Sequence, residues 1–288
     1  MSPGANGSIP PGPLVMGVLN LTPDSFSDGG QCNSPDAVLR QARRMLAQGA
    51  AVLDLGAQST RPGAAVVGAE EEWRRLEPAL HALGELRRQQ PQLLLSVDSF
   101  EAAVAEAALA AGVDWINDVR GGNGTLRDPA MLPLVARAGC PYVLMHSRGT
   151  SLTMDQLTNY GDVVQEVRDE LLAATTAALE AGVRREQILW DPGLGFAKTT
   201  VQNLELLRRL PELAAAGYPL LLGPSRKRFI GAVLKEPRPR ARLWGTAAVC
   251  ALAVAGGVRV LRVHDVAPIA QTVRMAAAVR TAPSDLPT

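Results

Sequence analysis

Four side chains able to read a flat nitrogen heterocycle stand at the ends of short apolar runs: Asn20, Asp98, Asn117 and Asp191. Basic groups accompany them: Arg61, Lys227, Arg262 and His264. An ionised carboxylate accepts two parallel hydrogen bonds from an amino-pyrimidinone edge. Acids and amides in one pocket therefore suit a ligand with several N–H donors and a few acceptors, such as a pterin or a purine. Lysine, arginine and histidine near the seventh and eighth runs fit the place where many barrels hold phosphate. The amide oxygen of Asn20 suits Mg²⁺, which keeps several waters and is completed by substrate phosphates. These residue types point to a nitrogen heterocycle that carries a phosphate group.

Such chemistry needs the groups brought to one place. Eight apolar, β-branched runs carry them: Leu14–Asn20, Ala51–Gly56, Leu93–Ser99, Trp115–Val119, Tyr142–Ser147, Ile188–Gly193, Leu220–Ser225 and Val260–Val266. Most are apolar over nearly their full length, as strands buried on both faces of a parallel sheet are. Between them lie segments at helical spacing, of which 70–90, 100–111 and 163–181 are clear examples. Gly49, Gly112, Gly139, Gly182 and Gly217 each fall just before a strand, where a left-handed residue would stop the helix. Eight βα repeats without a linker favour a closed (β/α)8 TIM barrel over an open doubly wound sheet. In such a barrel the site is assembled from the C-terminal ends of different strands, where the unusual polar residues fall.

The chain has 288 residues, close to the ~250 typical of this barrel. Hydrophobic content is 47% and aromatics only 4%, so the core must be built of Ala, Leu and Val. A net charge of +1 gives no reason to expect nucleic acid or a membrane as partner. The cysteines Cys32, Cys140 and Cys250 are widely spaced, which argues against a disulfide framework or a zinc site and suits a reducing cytoplasm. Residues 1–13, rich in Gly and Pro, read as a disordered leader before one domain over 14–283.

Other polar residues have plainer readings. His146 is equally a candidate for a satisfied core histidine. His81 and the Arg43-Arg44 and Arg87-Arg88 pairs read as solvated helix faces. Asp118 and Asp265 directly follow better candidates, so strand alternation points them to the opposite side. Asp24 suits a turn after Pro23, and Gly193 and Gly195 lack the dinucleotide-binding spacing.

The motifs themselves resemble those of the dihydropteroate synthases. Met16-Gly-Val-Leu-Asn-Leu-Thr-Pro-Asp-Ser-Phe-Ser-Asp-Gly-Gly30 is similar to the first signature of that family, and Leu55-Gly-Ala-Gln-Ser-Thr-Arg-Pro-Gly63 to the second. Asp191-Pro-Gly-Leu-Gly-Phe-Ala-Lys198, Gly223-Pro-Ser-Arg-Lys227 and Arg262-Val-His-Asp265 complete the set. The resemblance implies that p-aminobenzoate displaces pyrophosphate from 6-hydroxymethyl-7,8-dihydropterin diphosphate, giving dihydropteroate with Mg²⁺ as cofactor. It also implies a homodimer. Asp191 and Asn117 would then take the pterin's N–H edge. Asp98 would favour positive charge on the ring, and Lys227 would donate to the pterin oxygen. Met145 and Phe196 would pack on the ring. Arg262 and His264, with Asn20, would hold the pyrophosphate and its metal. Phe26, Asp28, Thr60, Arg61 and Pro62 would close over p-aminobenzoate and the leaving group, with Asp28, Asp98 and Lys227 acting in the chemistry. Ser225, at the start of the helix after the seventh strand, would meet the benzoate carboxylate.

Ala57-Gln58 and Ser147-Arg148 depart from the common family pattern, the first removing a charge beside the second loop and the second adding one near the pterin rim. Two other functions compete. A methyltetrahydrofolate-dependent methyltransferase would not need the Thr22–Gly30 loop or the Arg262/His264 pair, and a non-catalytic pterin-binding paralogue would not need the full polar set.

Overall fold

The structure is a computed structural model that describes residues 9–22, 34–60, 63–65 and 67–281. The eight apolar runs become eight strands: β1 Leu14–Asn20, β2 Val52–Gly56, β3 Leu94–Asp98, β4 Trp115–Asp118, β5 Tyr142–Met145, β6 Ile188–Asp191, β7 Leu221–Leu222 and β8 Val260–Val263. They pair in parallel in the order β6-β5-β4-β3-β2-β1-β8-β7. A parallel bridge between Trp190 and Leu220 links the two ends and nearly closes the barrel. β7 is the shortest strand because Gly223 and Pro224 follow it, and proline has no N–H to continue a ladder.

Helices α1 Pro35–Ala47, α2 Ala69–Gln89, α3 Ala102–Ala110, α4 Met131–Ala138 and α5 Val163–Glu180 each follow one strand. α6 Thr200–Arg208 and α7 Leu210–Ala214 follow β6, α8 Arg228–Leu234 and α9 Leu243–Ala255 follow β7, and α10 Val266–Thr281 follows β8. Their starts are written locally. The Asp162 carboxylate caps α5 by accepting from the N–H of Val164 and Gln165 at 2.9 and 3.1 Å. α3 begins two residues later than its spacing suggests. Phe100 is drawn instead into an apolar cluster with Val119 and Met145, and the Asp128 carboxylate caps Ala102 at 2.9 Å. The glycines expected at helix ends all have φ between +69° and +101°.

The two-residue period of the strands sorts side chains into two cores. Leu53, Leu55, Val97, Ile116, Leu144 and Trp190 face outward and pack with the helices. Facing inward are Met16, Val52, Leu94, Trp115, Val143, Leu189, Leu221 and Val260, one from each strand, and they fill the floor of the barrel. Ile9 packs beneath this floor, and the Arg259 guanidinium donates to the Pro10 carbonyl at 3.1 Å. Ile9 and Pro10 thus belong to the barrel rather than to a disordered leader, because Ile9 finds apolar surface to cover; residues 1–8 lie outside the described set. Arg87 also differs from expectation. It reaches across to the Asp114 carboxylate at 2.6 Å and clasps α2 to the turn before β4, whereas Arg43, Arg44, Arg88 and His81 are exposed.

Candidate active site

Two residues beyond the floor, the same inward faces turn polar. β2 contributes Asp54, β3 Ser96 and then Asp98, β4 Asn117, β6 Asp191 and β8 Arg262, while Met145 of β5 keeps that side apolar. The apolar floor closes one end of the barrel and leaves the polar layer facing the other.

Arg262 sits between two acids. Its Nε donates to Asp54 Oδ2 at 2.5 Å and its Nη2 to Asp98 Oδ2 at 2.6 Å. Asn117 Nδ2 donates to the same Asp54 oxygen at 3.2 Å. Arg262, for which the resemblance implies a grip on pyrophosphate, is paired with both acids in this structure, because β8 brings it within reach of β2 and β3. Burial pushes the Asp98 carboxyl up to about 7, against the pull of Arg262 and with help from the Asp54 charge. Asp191 is also raised by burial; the Gly193 N–H, which donates to its Oδ1 at 2.7 Å, opposes the shift.

Lys227 precedes α8, and its ammonium lies 4.3 Å from the centre of the Phe196 ring. Desolvation brings it down to about 8, with Asp191 pulling the other way. Ser225 does not begin a helix, since α8 starts at Arg228. Its hydroxyl instead meets His264, which sits at 3.0 Å through Nδ1 and donates its backbone N–H at 3.2 Å. The turn between them holds Arg226 at φ +60°, a conformation secured by two bonds to Asp265 and one from its N–H to Thr246. Asp118 points away from the pocket and accepts from the Tyr142 hydroxyl at 2.7 Å, and Asp265 serves Arg226, as strand alternation requires.

Beyond the polar layer, Gln58, Ser59 and Thr60 face Phe100, Arg120 and Phe196 across a narrow cleft, which none of Asp98, Asn117, Asp191, Lys227 or Arg262 lines. Thr60 thus stands at the mouth. Phe26, Asp28, Arg61 and Pro62 lie outside the described residues, as do Asp24 and Cys32.

The family described as "Pterin binding enzyme" matches residues 16–264 of this chain. The chain belongs to that family. Among its relatives is the dihydropteroate synthase of Synechocystis sp., 48% identical over 265 residues, which are 92% of this chain and 89% of the relative. That of Mycobacterium leprae is 46% identical, with 88% of each chain covered. The Xanthomonas albilineans dihydropteroate synthase solved with 4-aminobenzoic acid superposes at a TM-score of 0.86, with 43% identity and 94% of each chain covered. The same enzyme in complex with 7,8-dihydropteroate gives 0.82 with 40% identity, covering 94% of this chain and 95% of that one.

Within this member of the pterin binding family, four polar residues escape a reading based on strand ends. Asp54 lies in the middle of β2, and only its phase with Val52 marks it as inward-facing. Lys198 ends the third motif and is buried against His146. Glu170 lies on α5, and Glu72 is fully buried on α2. Both sites of departure from the family pattern are internally compensated. Gln58 accepts from the Val67 N–H at 2.7 Å and donates to Glu72 at 3.4 Å. Arg148 adds no open charge to the rim, because Glu166 takes it at 2.8 Å, Glu170 takes it too, and its guanidinium stacks 3.8 Å over Tyr160.

Asn20 ends β1 half-buried, in register with Gly56. Among the described residues, no group of three or more His, Cys, Asp or Glu gathers to hold a metal. A lone amide oxygen fits an ion held mostly by substrate phosphates and water, not one held by a protein cage.

Proposed function

We propose that this chain works as a dihydropteroate synthase, joining p-aminobenzoate to 6-hydroxymethyl-7,8-dihydropterin diphosphate to give 7,8-dihydropteroate and pyrophosphate. The observation that carries this reading is the ring of Asp98, Asn117, Asp191 and Lys227 above an apolar floor, in a chain that matches dihydropteroate synthases over nearly its full length. Asp191 accepts from the pterin ring N–H and amino group, and Asn117 meets the neighbouring edge. Lys227 donates to the ring oxygen while its ammonium rests on Phe196. The ring lies against Met145 and Phe196.

The amine nitrogen attacks the methylene carbon as the carbon–oxygen bond to pyrophosphate breaks, and the nitrogen then loses a proton. Positive charge builds on the pterin in that step, and the Asp98 carboxylate lies where it can stabilise it. Arg262 orients Asp98 and favours its ionised form against the burial that raises it; its further use on the leaving group, with His264, belongs to this proposal. Mg²⁺, held by Asn20 and the phosphates, would supply charge neutralisation to the departing pyrophosphate. Thr60 stands at the mouth, and the resemblance assigns Phe26, Asp28, Arg61 and Pro62, which lie outside the described residues, to the amine and leaving-group site, with Asp28 acting in the chemistry. Ser225, tied to His264, stands as the partner for the benzoate carboxylate.

Two coarser readings accompany this one. A homodimer is supported by apolar side chains left exposed on the last two helices, Trp244 at 77% and Met275 at 65%. A cytoplasmic setting is supported by Cys140 and Cys250, both buried free thiols. Among the described residues no helix is long and apolar enough to cross a membrane.

The deciding experiment measures pyrophosphate release from the pterin diphosphate with Mg²⁺, with and without p-aminobenzoate. Release coupled to dihydropteroate formation, and lost in Asp191→Ala together with pterin binding, is expected. Tight pterin binding without turnover would replace the enzyme with a non-catalytic pterin binder.

A further inference from the structure

Next to Asp191, three ionisable side chains form a hydrogen-bonded chain for which the reaction above has no use. Glu170 Oε2 lies 3.0 Å from His146 Nε2, and His146 Nδ1 lies 2.9 Å from Lys198 Nζ. The Lys198 ammonium also donates to the carbonyls of Gly193 and Phe196, at 3.1 and 2.9 Å. His146 is fully buried and Lys198 is 8% exposed.

The direction of the chain follows from donor and acceptor counting. An ionised carboxylate can only accept, so His146 carries its proton on Nε2 and offers the Nδ1 lone pair to lysine. Burial and the Lys198 charge hold His146 down at about 4, so the ring stays neutral and keeps this tautomer. Burial brings Lys198 down to about 7, against the pull of Asp191 and Glu170. In its ammonium form its three N–H donors meet three acceptors, two of them carbonyls of the loop that follows Asp191.

The same loop is held at its start by backbone. The His146 N–H donates to the Asp191 carbonyl at 2.8 Å, and the Gly193 N–H reaches the Asp191 carboxylate at 2.7 Å. Gly193 runs so close to β5 that a Cβ there would lie 1.9 Å from the His146 carbonyl oxygen. The loop thus has one seat, against His146, and Lys198 draws both of its ends toward that seat. Phe196, which carries the ring face, is held by the carbonyl that Lys198 grips. At the far end, Arg148 pairs with Glu170 and fixes it on α5.

We propose that Glu170, His146 and Lys198 are positioning residues that set the Asp191–Phe196 loop in its pterin-reading shape, so that pterin affinity depends on them while the chemical step does not. The inference rests on the reading of Asp191 and Phe196 as pterin contacts. A buried ammonium is costly wherever it sits, and an apolar side chain would fill the same space. Only a multiple donor can gather two loop carbonyls and a ring nitrogen at one point.

The test is substrate-resolved kinetics and pterin calorimetry on the full chain with Lys198→Met, Lys198→Gln and Glu170→Gln. Wild-type turnover and the loss of pterin binding in Asp191→Ala check the underlying reading separately. If those controls fail, the proposed function falls first; if they hold, the variants judge the positioning role alone. Lys198→Met should weaken pterin binding about tenfold or more, with kcat and the KM for p-aminobenzoate within about threefold of wild type. Lys198→Gln, which keeps two N–H donors for the carbonyls, should recover to within about threefold of wild-type affinity. Wild-type pterin affinity in Lys198→Met would overturn the proposal, as would a loss spread equally over both substrates and kcat. Should Lys198→Met not fold, Glu170→Gln at its half-exposed helix position carries the test. It should raise the pterin KM by more than about threefold with kcat within about threefold of wild type, and a pterin KM within about threefold of wild type would overturn the proposal.

Discussion

Asp54 shows how a single residue can organise a site without touching the rim. It is fully buried, takes Arg262 at 2.5 Å and Asn117 at 3.2 Å through one oxygen, and so joins β2, β4 and β8. Asp54→Ala would leave the arginine with Asp98 alone. We expect a stability loss of up to about 3 kcal/mol, as for breaking a buried pair, read by urea unfolding, and a weakening of pterin binding read by calorimetry. Wild-type values in both measurements would sink this account of the arginine. Ionisation sets a second expectation. Asp98 must be charged to help the pterin, and its value near 7 means that it protonates as pH falls below that. Lys227 must be charged to donate, and its value near 8 means that it is lost as pH rises above that. kcat/KM for the pterin diphosphate should therefore fall on both sides of a maximum between about 7 and 8, and a flat profile from pH 6 to 9 would contradict the assignment. Asp98, Asn117 and Asp191 are legible from sequence because a polar residue that ends an apolar strand stands out. Asp54 is not, because a carboxylate in mid-run looks the same whether it is paired or not.

At the scale of elements, two loops are held by buried polar groups. The loop after β2 is tied to α2 through Gln58 and the buried Glu72. Burial raises Glu72 from its usual 4.5 to about 7, with a Ser99 hydrogen bond opposing the shift. A raised folded value means that the proton binds the folded state more tightly. The stability this supplies is full below about 4.5 and is lost as pH climbs through about 7. Glu72→Gln, neutral throughout, should escape that loss. Its melting temperature relative to wild type should rise by several degrees between pH 5 and pH 8, and a constant difference across that range would refute the buried-proton account. The loop after β6 depends on Gly193 at φ +68°. Gly193→Ala places a left-handed alanine against the His146 carbonyl, so a cost of at least about 2 kcal/mol is expected in urea unfolding, together with weaker pterin binding. The glycine motif is visible in the sequence, but its reason is the approach of β5, which no local pattern encodes.

Over the whole molecule, the floor layer and its cover decide which end of the barrel can be a site. One inward residue from each strand seals the bottom, with Trp115 filling its space and Ile9 beneath it. Access to the polar layer is therefore left to the opposite end, the C-terminal ends of the strands. The exposed apolar side chains of α9 and α10, which pack against each other, make a second whole-molecule feature. If a second copy covers them, Trp244→Glu should shift the protein to monomer in light scattering while leaving pterin affinity unchanged. An unchanged mass would move the interface elsewhere.

Sequence alone determined the eight alternating units, the glycines that end the helices, the polar strand ends and the family motifs, because each is written in local period and composition. Alternation even placed Asp118 and Asp265 on the correct side. What tertiary structure decided is partnership. Arg262 meets Asp54 and Asp98, Ser225 meets His264 rather than opening a helix, and Lys198 meets His146 and Glu170 through one buried ring. A period of two says which face a side chain takes. Which neighbour it finds there depends on barrel closure and register, and those arise only when all the strands are assembled.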